Sequence, residues 1–392
     1  LRERIDDVIR PHRDWADASR WLAGRLEQLA VIRRLGATTH TFVMSGWVPQ
    51  QDVAQLTDVV GTELGDEVAI EIEAATADES PPVLMANAPP ARPFEFLVRL
   101  LDVPTYGSRD PTGLMALFLP LFFGMMLGDV AYGLALLVIS WLVYRRYRHR
   151  PGVARDLSRI LMMAAAWAVL WGLVYGEFLG DLGHRLWGME PLWINREEAL
   201  EPLLVFALAV GAAHVVLGLV LGAVDAGRSG HRHLLAERIA MLVALAGLFL
   251  IAGVAAGEAP RGLLTPAVAA IVVGLVVLMA LGGAMGLLMG PLEMLGTVGN
   301  VLSYLRIAAI GLASVYLARV ANELGAVGPI WLGILIAALF HALNLALGTF
   351  SPTIQALRLH YVEFFGKFFS GGGEAFQPFG TPTDRDHETV VA

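Results

Sequence analysis

The 392-residue chain contains no cysteine, which excludes disulfide scaffolds, cysteine-ligated zinc and thiol catalysis. Lysine is almost as scarce: of 28 lysines and arginines together, only Lys367 is a lysine. Phe368 follows it and no G-x-x-x-x-G-K-[ST] occurs, so the chain holds no phosphate-binding loop of its own. Any dependence on ATP must come from another subunit. Charged residues make up 16% of the chain and the net charge is −8. No basic stretch is interleaved with aromatics, which argues against a nucleic-acid binder. Apolar residues are in excess, at 56% with a mean hydropathy of +0.60, as expected of a polytopic membrane protein with a soluble N-terminal part.

The polar opening at Leu1 shows no signal-peptide pattern and is read as the inside of a larger cytoplasmic region. Trp15, Leu22, Leu26 and Leu29 recur at roughly helical spacing and predict a helix to about Gly36. Thr39 to Val48 reads as a strand, 53–64 as a short helix and Glu67 to Ile72 as a second strand. A proline-rich linker, Ser80 to Pro93, leads toward the membrane. From Thr112 onward apolar runs predict eight spans, at about 112–128, 129–148, 157–180, 202–225, 236–257, 264–289, 292–322 and 328–365. The fold class expected is therefore mostly α: eight transmembrane helices, the last two long, after a partial α/β domain. The boundaries expected are 1–110 for the α/β part, 111–370 for the membrane domain and 371–392 for a cytoplasmic tail. Arginines cluster after the second span (Arg145, Arg146, Arg148, Arg150, Arg155, Arg159) and after the fourth (Arg228, Arg232, Arg238). The positive-inside rule puts both loops, and both termini, in the cytoplasm. No inverted repeat relates the two halves, which weighs against many secondary-transporter folds.

Within Gly296 to Ala318, GTVGNVLSYLRIAAIGLASVYLA, lies Arg306. A guanidinium at mid-membrane costs about 2.5–3.5 kcal/mol on insertion scales and cannot shed its charge. Ala308, Ala309, Gly311 and Ala313 leave little bulk around it, so another helix can approach closely. Arg358 lies in the next span, with Gln355 on the same helical face. The acidic residues nearest in sequence, Glu293 and Glu363, fall at inner span ends, and neither is expected level with Arg306. The alternative reading has Arg306 bridging carbonyls or a neighbouring span for structure alone.

Other polar residues sort by depth into an outer set, Asp129, Glu177, Asp181 and His214, and an inner set, Glu293, His233 and Glu237, which together can line two separate aqueous paths. Each has a plainer reading. Asp129 can cap the helix that follows it, Glu177 can be interfacial, and His214 suits a hydrogen-bonded core histidine better than a relay. His231, Arg232 and His233 suit a solvated loop better than a metal site. His341 and Asn344 are either interhelical glue or channel lining, and Pro352 is expected to kink the last span.

Three stretches carry a resemblance: PTGLMALFLPLFFGMMLGDVAYG (Pro111 to Gly133), SYLRIAAIGLA (Ser303 to Ala313) and LRLHYVEFFGKFFSGGGEAFQPF (Leu357 to Phe379). GWVP (Gly46 to Pro49) adds to them in the soluble part. With these the chain resembles the membrane-embedded stator subunit of V-type and archaeal A-type rotary ATPases, called subunit a or subunit I, in its bacterial or archaeal form. The resemblance implies a cytoplasmic arm bound to peripheral-stalk subunits E and G, and a membrane domain against a rotor ring of proteolipid c or K subunits. It also implies a multi-pass location in the plasma (inner) membrane of a bacterium or archaeon. No cofactor or metal is expected, and no catalysis by this chain alone.

By the same resemblance Arg306 faces the ring carboxylates, Arg358 is the second arginine, Gln355 is the polar residue before it and Glu293 is the acidic residue opening span seven. Many relatives carry histidine where this chain has Gln355, so no titrating step occurs there. Eukaryotic members carry a glutamate near Gly348, so the outer path here relies on other groups. In the implied mechanism a ring carboxylate releases its proton beside Arg306 into one half-channel and reloads from the other. The fixed charge also blocks a direct leak, which would dissipate about 2.3 kcal/mol per charge per 100 mV. An independent ion-coupled transporter and a purely structural anchor are the competing readings. Proton against sodium, and synthesis against hydrolysis, are decided by other subunits.

Overall fold

An apolar run becomes a membrane helix because, without water, only intrahelical hydrogen bonds satisfy its backbone. The computed structural model describes residues 35–76, 79–150, 152–327 and 329–379, with scattered positions between 15 and 32. The chain divides into two compact units, one of residues 1–85, 103–107 and 372–392, the other of residues 86–102 and 108–371.

In the first unit, strands β1 (Gly36–Ala37) and β2 (Phe42–Val43) pair antiparallel, followed by helix α1 (Val53–Leu64). Val83 bridges Ala375 in parallel. The expected helix is present, but the strands are smaller than expected. Only two residues of Thr39 to Val48 pair, and Val68 to Ile72 form no strand. Among the described residues no further strand lies beside them, and an unpaired segment leaves its ladder bonds unmade. The expected helix before Gly36 lies largely outside the described residues.

The second unit is helical: α2 (Glu95–Leu101), α3 (Thr112–Leu127), α4 (Val130–Tyr147), α5 (Val153–Tyr175), α6 (Leu182–Trp187), α7 (Leu200–Arg228), α8 (Arg232–Ala255), α9 (Leu264–Leu281), α10 (Gly283–Leu302), α11 (Leu305–Gly325) and α12 (Ile330–Arg358). A π-helical segment, Leu359–Phe364, continues α12. Among the described residues six helical stretches are long and apolar enough to cross a membrane: Val153–Tyr175, Leu200–Arg228, Arg232–Ala255, Arg261–Leu281, Met285–Gly325 and Ile330–Lys367. The first two expected spans fold as α3, 16 residues, and α4, 18 residues with Arg145 and Arg146 in its last turn. At 1.5 Å per residue these reach only about 24 and 27 Å.

The boundary between the sixth and seventh expected spans is corrected. The chain breaks at Gly282–Gly283 rather than near 290, because Gly283 takes φ +58°, a conformation that costs residues with a Cβ about 1–2 kcal/mol. Met285–Gly325 then runs 41 residues, with one interruption at Ser303–Tyr304 between α10 and α11. Glu293 therefore lies well inside α10 rather than at the start of the stretch. Pro352 sits within α12, whose helical assignment runs through it.

A buried core of Phe123, Leu127, Tyr132, Leu136, Ala164, Ala165, Ala168 and Ala318 joins α3, α4, α5 and α11. The three alanines of α5 supply the small surface that lets membrane helices pack closely.

Candidate functional site

Arg306 opens α11, three residues after the interruption at Ser303, and Arg358 closes α12 just before the π-helical turn. Between them stands Glu363. Its Oε1 lies 3.8 Å from Arg306 Nη1 and 4.0 Å from Arg358 Nε. The carboxylate is 2% exposed, whereas the side chains of Arg306 and Arg358 are 23% and 53% exposed. The acid is thus buried behind two cations that reach the surface. The expectation that no acidic residue of this chain is level with Arg306 is corrected here. Five residues along an α-helix turn about 140° away from Arg358, but the wider π turn brings position 363 back toward it.

The four small residues near Arg306 also divide. Ala309 and Ala313 are exposed on the arginine's open face, whereas Ala308 and Gly311 are buried. Gly311 makes room for a different arginine, since a Cβ there would stand 2.8 Å from Arg196 Nη1.

The open face is incomplete in polar terms. Among the described residues seven buried side-chain polar atoms lack a hydrogen-bond partner, and five belong to this neighbourhood: Arg306 Nη1, Gln355 Oε1, Glu363 Oε2, His360 Nε2 and His214 Nε2. Buried polar groups are ordinarily satisfied, so such a concentration sets this neighbourhood apart from the rest of the described residues. His214 is not with the other outer residues. It bonds Tyr304 Oη at 2.6 Å and stacks on Phe364 with centroids 3.8 Å apart, near Phe118 and His360.

The inner residues gather in part. Glu237 pairs with Arg238 at 3.4 Å, and the charges acting on Glu293 are those of Glu237, Arg238 and Lys367. Lys367, 9% exposed, donates to Thr297 Oγ1 at 3.2 Å and, with the Asn300 amide turned to present its oxygen, to Asn300 at 3.0 Å. His233 stands apart, its Nε2 against the Leu281 carbonyl at 2.9 Å beside the Gly282–Gly283 break.

The outer residues form two assemblies. Asp129 caps α4, accepting from Ala131 and Tyr132 N–H at 2.9 and 3.0 Å and from Gly180 N–H at 2.8 Å. Glu177 is gripped by Arg196, which donates through Nε at 2.7 Å and through Nη2. Arg196 also donates to the Gly128 carbonyl at 3.0 Å and lies 4.4 Å from the Tyr175 ring centroid. It is 1% exposed, and its guanidinium caps the C-terminal carbonyls of α3. The second assembly is a chain. Asn322 Nδ2 donates to Asp181 Oδ1 at 2.7 Å and to the Leu179 carbonyl, and its oxygen meets His341 Nε2 at 3.0 Å. Tyr132 Oη is 2.7 Å from His341 Nδ1 and accepts from Asn344 Nδ2 at 3.0 Å, which also reaches the Ser314 carbonyl at 2.8 Å. Because an amide oxygen only accepts, His341 carries its proton on Nε2 and Tyr132 donates to Nδ1. The donors therefore point one way, from Asn344 beside α11 to the carboxylate of Asp181.

The sequence model of the V-type ATPase 116kDa subunit family matches residues 28–193 and 293–381. The chain belongs to this family. Subunit I of the A-type ATP synthase of Thermococcus kodakarensis is 32% identical over 90% of this chain and 56% of its own length. The protein of the same name from Archaeoglobus fulgidus is 30% identical over 90% or more of this chain, namely 92%, and 61% of its own, and that from Halobacterium salinarum is 29% identical over 96% and 67%. The chain thus spans little more than half the length of the first two. The matched segments of this V-type ATPase 116kDa family member carry Glu293, Arg306, Gln355, Arg358 and Glu363, whereas His214, His233 and Glu237 fall in the unmatched stretch. Sequence reasoning missed Glu363 as a partner of Arg306, Arg196 as a buried clamp, Tyr132 and Asn322 in the outer chain of hydrogen bonds, and Lys367 beside the inner acids. The signal for Arg196 was present, since a lone arginine among Glu190, Glu197 and Glu198 precedes α7.

Proposed function

We propose that the chain is the membrane stator subunit of a V/A-type rotary ATPase, with Arg306 the fixed charge past which ring carboxylates travel. The observation that carries this reading is the pair of partly exposed arginines that share one acid, Glu363, buried behind them. A carboxylate arriving there from lipid meets an uncompensated positive charge, loses its proton and moves on. Arg358 and Gln355 complete the face, and the two small side chains Ala309 and Ala313 admit the ring helix.

In this reading α3 and α4 complete eight crossings, tilt and packing against neighbours making up their short length, and both termini lie in the cytoplasm of a bacterium or archaeon. Residues 1–110 belong to the cytoplasmic arm held by the peripheral stalk, 111–370 to the membrane domain beside the ring of c or K subunits, and 371–392 to a tail. ATP is bound elsewhere in the complex. Glu293, Glu237 and Lys367 line the inner path. The outer path opens at Asp181 and follows Asn322, His341, Tyr132 and Asn344 toward α11, and the Asp129 cap and the Glu177–Arg196 clamp form its wall.

The test is ATP-driven ion pumping by membranes carrying the assembled complex. Arg306→Ala abolishes pumping while assembly survives; near-normal pumping removes Arg306 from the central role. Arg358→Ala gives a milder loss.

A further inference from the structure

Two guanidiniums facing one ring carboxylate present a problem of excess charge. Each exposed arginine would attract the passing carboxylate, and the pair together would hold its ionised form long after the rotor should move on. Arg306 and Arg358 lie on different helices, yet both reach the same oxygen of Glu363, at 3.8 and 4.0 Å. Neither contact is short enough to be a hydrogen bond, so both guanidiniums keep their donors for something else. Glu363 is 2% exposed against 53% for Arg358, so it is shielded from any partner that touches the arginines.

We propose that Glu363 is a positioning residue that trims the stator site to a single net positive charge, matched to one ring carboxylate. This deepens the stator reading given above and rests on it. With Glu363 ionised, two cations and one anion leave one uncompensated charge at the surface. A single ionised ring carboxylate neutralises it, and the next cannot be held at the same time. The proton it gives up leaves by one aqueous path, and the carboxylate takes another from the other path before returning to lipid.

The groups facing Glu363 from the surrounding elements fit this count. Arg306 comes from α11 and Arg358 from α12, and these are the charges that act on it; the Ser303 hydroxyl also faces it. Tyr304 interacts with it, His360 shares its π-helical segment, and His214 is bonded through Tyr304. All three pack against the Phe122 ring, and as buried groups, whose charged forms are costly, they are counted as neutral. Gln355 adds nothing to the count at any pH.

The experiment compares Glu363→Gln, Glu363→Asp and the double variant Glu363→Gln/Arg358→Gln in the full-length subunit of the assembled complex. ATP-driven pumping is read as a function of pH. Glu363→Gln raises the site by one positive charge, so reloading of the ring carboxylate requires a more acidic medium. The alkaline limb of the profile moves down by about one to two pH units, the shift that one charge about 8 Å away produces at an effective dielectric near 20. At neutral pH pumping falls about tenfold or more. Glu363→Asp keeps the wild-type profile, and the double variant, again carrying one net charge, regains most of the rate and the wild-type limb. The proposal is overturned by a Glu363→Gln profile that coincides with wild type. A double variant worse than Glu363→Gln also overturns it, because losses that accumulate indicate packing rather than charge. If Glu363→Gln fails to assemble, the double variant is compared with wild type: a near-normal rate and limb support the proposal, and a low rate or an acid-shifted limb overturns it. Failure of the stator reading itself shows separately, as normal pumping by Arg306→Ala.

Discussion

Arg196→Met is expected to destabilise the protein more than replacing its whole ion pair does. Arg196 is 1% exposed and donates to both oxygens of Glu177 and to the Gly128 carbonyl. Removing it strands a buried carboxylate, and breaking a buried pair from one side costs about 3–5 kcal/mol. Glu177→Leu strands the guanidinium and costs a similar amount. The double variant Arg196→Met/Glu177→Leu leaves no buried charge. It loses only the carbonyl cap and the contact with the Tyr175 ring, about 1–2 kcal/mol at roughly 1 kcal/mol per net interaction. The assay is a double-mutant cycle on unfolding in detergent, with a coupling of about 4 kcal/mol or more expected between the two positions. Single losses below about 1 kcal/mol, or losses that simply add, would refute the clamp. Pumping by the assembled double variant supplies the functional arm. Substantial activity is expected if Glu177 is structural, whereas a well-folded but inactive double variant would return Glu177 to the ion path.

Asp129→Ala removes the acceptor of three backbone N–H groups, two at the start of α4 and that of Gly180, and should cost about 1–2 kcal/mol; Asp129→Asn, which can still cap, should cost clearly less in the same unfolding assay. Tyr132→Phe leaves His341 Nδ1 unpaired and takes from Asn344 Nδ2 one of its two acceptors, the Ser314 carbonyl remaining, a loss of about 1–3 kcal/mol, and should slow pumping through the outer path while Tyr361→Phe leaves the rate unchanged. Gly283→Ala meets open space but must adopt φ +58°, so a loss of about 1–2 kcal/mol is expected from backbone strain alone, measured by thermal melting.

Helix positions were legible because apolar length is what a membrane helix consists of, and Arg306 stood out because nothing apolar explains a guanidinium. The partners of that charge were harder to read. Glu363 sits five residues from Arg358, a separation that points away on an α-helix, and only the π-helical turn corrects the angle. Arg196 lies in a loop, where no periodicity signals burial. The small residues around Arg306 were visible as a group, but their division between an open face and a pocket for Arg196 depends on how α11 is rotated. In the first unit β propensity overstated the strands, since propensity describes a residue's fitness for a sheet and not the presence of a neighbouring strand.

The π-helical turn explains the geometry in a way that length changes can test. A π turn carries one residue more than the α-helix around it, and exposed Val362 is the position whose side chain does least, at 57% exposure. Deleting Val362 converts the turn to α and leaves the glutamate four residues from Arg358, about 40° around the helix and still on its side. Downstream packing is kept, because the chain beyond is held where the Lys367 carbonyl meets Gly222 and the Phe364 ring meets Gly218. Inserting an alanine after Val362 instead adds a second extra residue. An extra residue taken up as helix between Arg358 and the glutamate carries the carboxylate about 100° further round from Arg358. The deletion should therefore pump with the wild-type pH profile, and the insertion should reproduce the acid-shifted profile of Glu363→Gln. Equal loss from both changes would mean that the turn itself, and not the placement of its carboxylate, is what the site requires.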